Sequence, residues 1–186
     1  IRSRVLLARI RVSSVEEWII TETPLLRSLR HSRASQLGRA RSADEALARL
    51  LRANAVRLSE QIGEEAAMAV AHARYGLTNL IFHGSGSGVF DLVYEAGGVI
   101  YIVEAKGGAG RLGTRIIRPG LEAQQGTVTY VRSVLEEMRA AHPQLVQRIE
   151  NALDSGRLRY ILTETPIPRG TAPLETTVSE FVVRTR

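Results

Sequence analysis

Apolar residues recur along this chain with two different periods, and the change of period divides it into elements. Between positions 42 and 76, Leu47, Leu51, Ala55, Leu58, Ile62, Ala66, Ala69 and Ala73 return every three or four residues, the spacing that gathers side chains on one face of an α-helix. Ser42 followed by Glu45 has the form of a capping box, and Gly76 supplies a stop, so a long helix is predicted between them. Gly63 stands inside it, at a cost of about 1 kcal/mol relative to alanine, and marks a close approach or a kink. From His83 to Gly108 the pattern shifts to HGSGSGVFDLVYEAGGVIYIVEAKGG. Apolar and β-branched runs bounded by glycines predict a glycine-rich loop, a strand ending at Tyr94, a Gly97-Gly98 turn and a second strand through Lys106.

The remaining segments carry weaker patterns. Residues 1–25 are ambiguous between short strand and helical turn, with Pro24 as a boundary. Leu26 to Arg41 carries Arg27, Arg30, Arg33, Arg39 and Arg41 among few large apolar residues; it is expected as a solvated helix or loop that either faces water or lies along a phosphate backbone. KGGAGRLGTRIIRPG is expected to be a loop, Leu121 to Ala141 a helix with Gln124 and Gln125 in its first turns, and Pro143 the start of another that stops at Gly156. Arg157–Thr163 and Thr177–Val183 are predicted strands that extend the sheet begun by the hairpin. The expected class is therefore α/β (α+β), a central mixed β-sheet flanked by helices, with a basic helical N-terminal extension over 1–41 and one domain over 42–186.

Composition sharpens the hairpin. Of 25 basic residues only Lys106 is lysine, and Asp91 is one of three aspartates. Glu104 and Lys106 lie two apart on a strand, so they leave the same face, and strand pairing can bring Asp91 alongside. Two acids and an ammonium at one sheet position make poor core, because unpaired buried charge is costly, whereas such an arrangement is common where a metal is held. A compact ammonium also differs from a guanidinium wherever a small charged site must be filled. The bland alternative is an exposed, salt-bridged hairpin with a chance lysine.

Asp91, then Glu104-Ala105-Lys106 one hairpin later, resembles the PD-(D/E)xK nuclease core, and EAKGGAGRLG followed by QQGTVTY resembles the C-terminal toxin domains of bacterial polymorphic and contact-dependent toxins. The likeness spans about Gly63 to Tyr130, with Phe90 where the family has proline. It implies a restriction-endonuclease-like core and a metal-dependent endonuclease acting on DNA in preference to RNA. Asp91, Glu104, the Ala105 carbonyl and a helix glutamate would hold Mg²⁺ or Mn²⁺, and Lys106 would stabilise charge on the phosphate or orient the attacking water. Helical phase sets Glu65 towards the sheet and Glu64 towards solvent, whereas the family pattern favours the acid directly after glycine, Glu64; the balance leans to Glu65. The resemblance also makes Gln124 or Gln125 a site residue, and Arg111, Arg115 and Arg118 are expected to bind phosphates. It further implies an acidic immunity protein as partner, and a bacterial secreted effector acting in the cytoplasm of a target cell. A chain beginning at Ile1, as one released from a longer polypeptide would, fits that expectation.

Bulk properties agree with this reading and exclude others. A net charge of +6 and a pI near 10.4 suit a polyanion, but equally an acidic protein or a membrane surface. Absence of cysteine removes disulfides and thiolate zinc sites. No apolar run reaches spanning length, and Arg2, Arg4, Arg9 and Arg11 break up the N-terminal apolar residues, so neither membrane insertion nor a signal peptide is expected. His31, His72, His83 and His142 have no ligand spacing and are expected to be structural or on the surface. The glycine runs fit neither a Walker loop nor a dinucleotide fingerprint, for want of a following Lys-Ser/Thr and of a following helix. Two non-enzymatic functions compete with the nuclease: a nucleic-acid-binding module of the same fold, and an interaction module that docks an acidic partner.

Overall fold

A computed structural model describes residues 5–6, 12–119 and 121–184; the four N-terminal arginines named above fall outside them. The elements, in chain order, are β1 (Val5–Leu6), β2 (Val12–Ile20), α1 (Pro24–Arg39), α2 (Glu45–Tyr75), β3 (Leu80–His83), β4 (Leu92–Ala96), β5 (Val99–Gly107), β6 (Thr114–Arg118), β7 (Leu121–Gln124), α3 (Val128–Met138), α4 (Pro143–Asp154), β8 (Leu158–Thr165) and β9 (Leu174–Phe181). The protein is mixed α/β. Six strands form one sheet in the order β2-β9-β8-β5-β4-β3, in which β5 and β8 are parallel and the other neighbours antiparallel. A smaller sheet, β1-β7-β6, stands beside it.

Helices cover both faces of the large sheet. On one face Ile62, Ala66, Ala67, Val70 and Ala71 of α2, with Leu26 of α1, pack against Leu92, Val103, Ile161 and Val178. On the other, Val131, Val134 and Leu135 of α3 and Val146, Ile149 and Leu153 of α4 pack against Val93, Ile102, Tyr160 and Phe181. Alternate residues of β5 therefore serve different cores, as the period of two requires. The hairpin forms as its residues predict: Gly97 and Gly98 both have positive φ, 57° and 76°, which a two-residue turn of the favoured hand demands, and Leu92 pairs with Val103.

Several expectations need correction. α2 is capped by Asp44, whose side chain accepts the Leu47 N–H at 2.9 Å; Ser42 lies outside the helix and its hydroxyl reaches only the Arg39 carbonyl, at 3.5 Å. The buried face of α2 passes through Ala48, Leu51, Ala55, Ser59, Ile62, Gly63 and Ala66, leaving Leu47 and Ala73 exposed. The segment after Gly110 is a loop only to Gly113, because Thr114–Arg118 finds a partner in Leu121–Gln124. That pairing also takes residues 121–124 out of the expected helix. The helix begins at Val128, where the Thr127 hydroxyl accepts the Tyr130 N–H. Gln124 and Gln125 consequently sit at a strand end and in a turn. In residues 1–41, the ambiguous EEWII segment is the outer part of β2, paired along β9. The arginine-rich segment is helical, with Thr23 capping and Pro24 opening α1, which packs along α2.

Candidate active site

The C-terminal end of β5 meets the N-terminal end of β4, and there the charged residues converge. Continuing the Leu92–Val103 register by one residue sets Asp91 opposite Glu104, both on the face that carries Val93 and Ile102. Lys106 Nζ lies 3.5 Å from Glu104 Oε2 and 3.9 Å from Asp91 Oδ2, so one ammonium lies between two carboxylates. Asp91 is fixed by its neighbour: its Oδ2 accepts the Ala105 N–H at 2.8 Å. Asp91, Ala105 and Lys106 line a cleft of about 640 Å³, and Asp91, Glu104 and Lys106 also border a second of about 290 Å³ on its other side. The GSGSG loop contributes Gly86 and Ser87 to both.

Glu104 is buried, and its surroundings are built to hold a carboxyl group there. Gln125 Nε2 donates to Glu104 Oε2 at 3.2 Å and to the Tyr130 hydroxyl at 3.2 Å, while its Oε1 accepts the Gly113 N–H at 2.7 Å. One glutamine thus ties the site carboxylate to the end of the glycine-rich loop. Glu104 Oε1 has no hydrogen bond, and neither has the buried Tyr160 hydroxyl, although the two groups are among each other's electrostatic neighbours. Burial first, and the Asp91 charge second, push the Glu104 carboxyl up to about 8, with Lys106 opposing. The larger cause is thus desolvation, ahead of repulsion between acids. Burial likewise pushes the Tyr130 hydroxyl up to about 12 and raises the Tyr160 hydroxyl well above the range of an exposed phenol.

Helix α2 approaches this end of the sheet without a spacer. A Cβ on Gly63 would stand 2.6 Å from Gly107 N and 2.9 Å from the Lys106 carbonyl carbon, so backbone meets backbone there, and the close-approach reading of Gly63 holds. Because the helix rests on Gly63 and Ile62, its Val56–Glu60–Glu64 side turns to the larger cleft. Glu64 faces the site, and its Oε2 is 3.3 Å from His83 Nε2. Glu65, one residue round the helix, is absent from both cleft walls and acts electrostatically on Tyr94. The geometry therefore reverses the order in which phase ranked these two acids.

Of the other sequence candidates, Gln125 is in the site and Gln124 is not: its carbonyl accepts the Thr127 hydroxyl at 2.7 Å and its side chain borders neither cleft. Arg115 lines the smaller cleft and pairs with Glu137. Arg111 lies 3.8 Å from Glu164 and Arg118 is exposed; neither borders the clefts. Sequence reasoning passed over Tyr160, which stands on β8 beside the hairpin in register with Ile102. Nothing in RLRYILT distinguishes it from an ordinary core tyrosine. It also passed over Ser59 and Glu60, which line the larger cleft from α2, while Arg33, one of the arginines expected in water or along a phosphate backbone, lines it from α1.

The donor set suits a hard divalent cation. Asp91 and Glu104 each place an oxygen beside Lys106 and the buried Glu104 Oε1 has no hydrogen bond, although among the described residues no group of three His, Cys, Asp or Glu side chains is placed to hold an ion. Mg²⁺ accepts such a site, since it keeps several waters and takes one or two carboxylates. Compared with known proteins, the chain matches no family model, and no curated protein or solved structure matches it significantly. No helix among the described residues is long and apolar enough to cross a membrane.

Proposed function

We propose that this protein is a divalent-metal-dependent endonuclease that hydrolyses phosphodiester bonds in DNA, on a sheet with a restriction-endonuclease-like core. The observation that carries the reading is the pair of carboxylates, Asp91 and Glu104, about a single ammonium on the wall of the smaller cleft. Buried charge of this kind destabilises a fold and has no packing role that an apolar pair would not fill better. Asp91, Glu104 and the Ala105 carbonyl are the groups that would hold Mg²⁺ or Mn²⁺, with Glu64, on the wall of the larger cleft, reaching the ion through water. When bound, the ion supplies Lewis acidity towards phosphate and acidifies water.

The chain's own residues supply the rest. Lys106 is placed to stabilise negative charge that grows on the phosphoryl oxygens, and its flexible stem lets it move from the carboxylates to the substrate. Gln125 holds Glu104 in one orientation, so the carboxylate need not reorganise during reaction. The Ala105 N–H keeps Asp91 turned towards the same point. Arg115, at the far side of the smaller cleft, can contact a neighbouring phosphate. The biological setting we infer is that of a secreted bacterial effector, acting in the cytoplasm of a target cell and neutralised by an acidic immunity protein.

Incubation of plasmid DNA and of tRNA with Mg²⁺ or EDTA tests the chemistry. Cleavage is expected with Mg²⁺ alone, falling by about 10²–10³ in Lys106→Ala, the scale of losing one charge-stabilising group. Cleavage that is undiminished in Lys106→Ala, or that persists in EDTA, refutes the assignment.

A further inference from the structure

A second groove, of about 500 Å³, lies between α1 and the loop that follows β8, and its walls carry Arg27, Arg30, Arg33, Arg41 and Arg169 against one acid, Glu22. Arg30 builds it. This buried guanidinium bonds Glu22 at 2.7 Å and the carbonyls of Gly170 and Ala172 at 2.8 Å each, fastening the loop to the helix. Arg27 shares the same glutamate at 3.3 Å, so Glu22 is already used by the two cations nearest it. Arg41 and Arg169 have no ion-pair partner among the described residues, and both are exposed. Arg33 bonds only the neutral Ser59 hydroxyl, through Nε at 2.7 Å, which leaves its terminal amino groups without a partner.

Arg33 also lines the larger cleft beside Asp91 and Lys106. The two depressions therefore share a wall, and guanidinium groups lead away from the candidate active site beside α1, those of Arg33, Arg41 and Arg169 without an acidic partner among the described residues. We propose that this groove is a binding track for the sugar–phosphate backbone of the DNA substrate away from the cleaved bond, with Arg33 as the junction and Arg41 and Arg169 as the outer contacts. This rests on the nuclease reading and adds the substrate's path to it. No Phe, Tyr or Trp side chain lines the groove, and its arginines are groups that bind phosphates, so recognition is of the backbone without regard to sequence. An acidic protein face would also meet positive charge, but continuity with the cleft where a phosphate would react favours the strand itself.

Fluorescence anisotropy with a labelled DNA duplex of arbitrary sequence, in EDTA over a range of salt concentrations, tests the track. In Arg41→Glu/Arg169→Glu the Kd is expected to rise about tenfold or more at low salt, and the slope of log K against log[salt] to shrink by about 2, near 0.9 for each lost phosphate contact. Arg41→Gln/Arg169→Gln should shrink the slope similarly with a smaller rise in Kd. Unchanged affinity and slope in both variants overturn the track, and would be the result if the groove instead received an acidic protein. Failure of the parent chain to bind the duplex overturns it too, whatever cleavage shows. Arginine-dependent binding without Mg²⁺-dependent cleavage would sustain the track while removing the nuclease reading.

Discussion

Gly63→Ala is the sharpest test of how the site is assembled, because two effects of opposite sign compete at one atom. In an isolated helix the change is favourable by about 1 kcal/mol, through reduced backbone entropy in the unfolded chain. In the folded protein the new Cβ would meet Gly107 N at 2.6 Å, Gly107 Cα at 2.8 Å and the Lys106 carbonyl carbon at 2.9 Å. Ordinary contact begins at about 3.5 Å, so α2 and β5 would have to separate by several tenths of an ångström. None of the three atoms belongs to a side chain that could swing away. Overpacking of this kind costs about 1–3 kcal/mol, with backbone clashes at the upper end, and the net expectation is a loss of about 2 kcal/mol. Gly38 is the internal control: also helical, it has nothing within 4 Å of a built Cβ, and alanine there should be neutral or stabilising by about 0.5 kcal/mol. Urea unfolding measures both through the midpoint at constant m-value. Because the displaced strand carries Lys106, Mg²⁺-dependent cleavage should fall in Gly63→Ala as well. If Gly63→Ala is as stable as the parent, the packing of α2 on β5 is not as described.

Three other outcomes are expected. Glu104 is an ordinary carboxyl when unfolded but is pushed up to about 8 in the fold, so the folded protein holds a proton that the unfolded chain releases. In EDTA its contribution to stability is then full in acid and is lost as pH rises through 8, by a few kcal/mol. Glu104→Gln should flatten that slope in unfolding curves from about pH 5 to 8, and equal slopes would show that the carboxyl is ionised throughout. Asp44→Ala should cost about 1 kcal/mol by loss of the α2 cap while Ser42→Ala costs almost nothing, which thermal melts can decide; the reverse order would restore Ser42 as the cap. Glu64→Gln is expected to lower DNA cleavage at least about tenfold and Glu65→Gln to leave it near the parent rate, and a larger loss in Glu65→Gln would contradict the cleft geometry.

What could be read along the chain was local. Positions 92–107 alternate, turn at two glycines and pair with themselves, so the hairpin and the shared face of Glu104 and Lys106 follow from backbone geometry over short separations. The length and stop of α2 follow in the same way from its period and from Gly76. Where the patterns misled over a strand, a partner outside the segment had decided the outcome, close in the chain in one case and far in the other. Leu121–Gln124 is a strand because Thr114–Arg118 pairs with it, and β2 exists because β9 offers an edge. The choice between Glu64 and Glu65 illustrates the limit most plainly. A helical wheel gives the angle between the two, but only the seating of Gly63 on Gly107 sets where that wheel points, and the contact joins residues 44 positions apart. The same holds for Gln125, Tyr160 and Arg33, whose types are unremarkable in their own segments. The sequence by itself determined the hairpin, the long helix and the chemical groups available; which of those groups share a cleft was decided by tertiary packing, since burial and long-range strand pairing are energies of the whole chain.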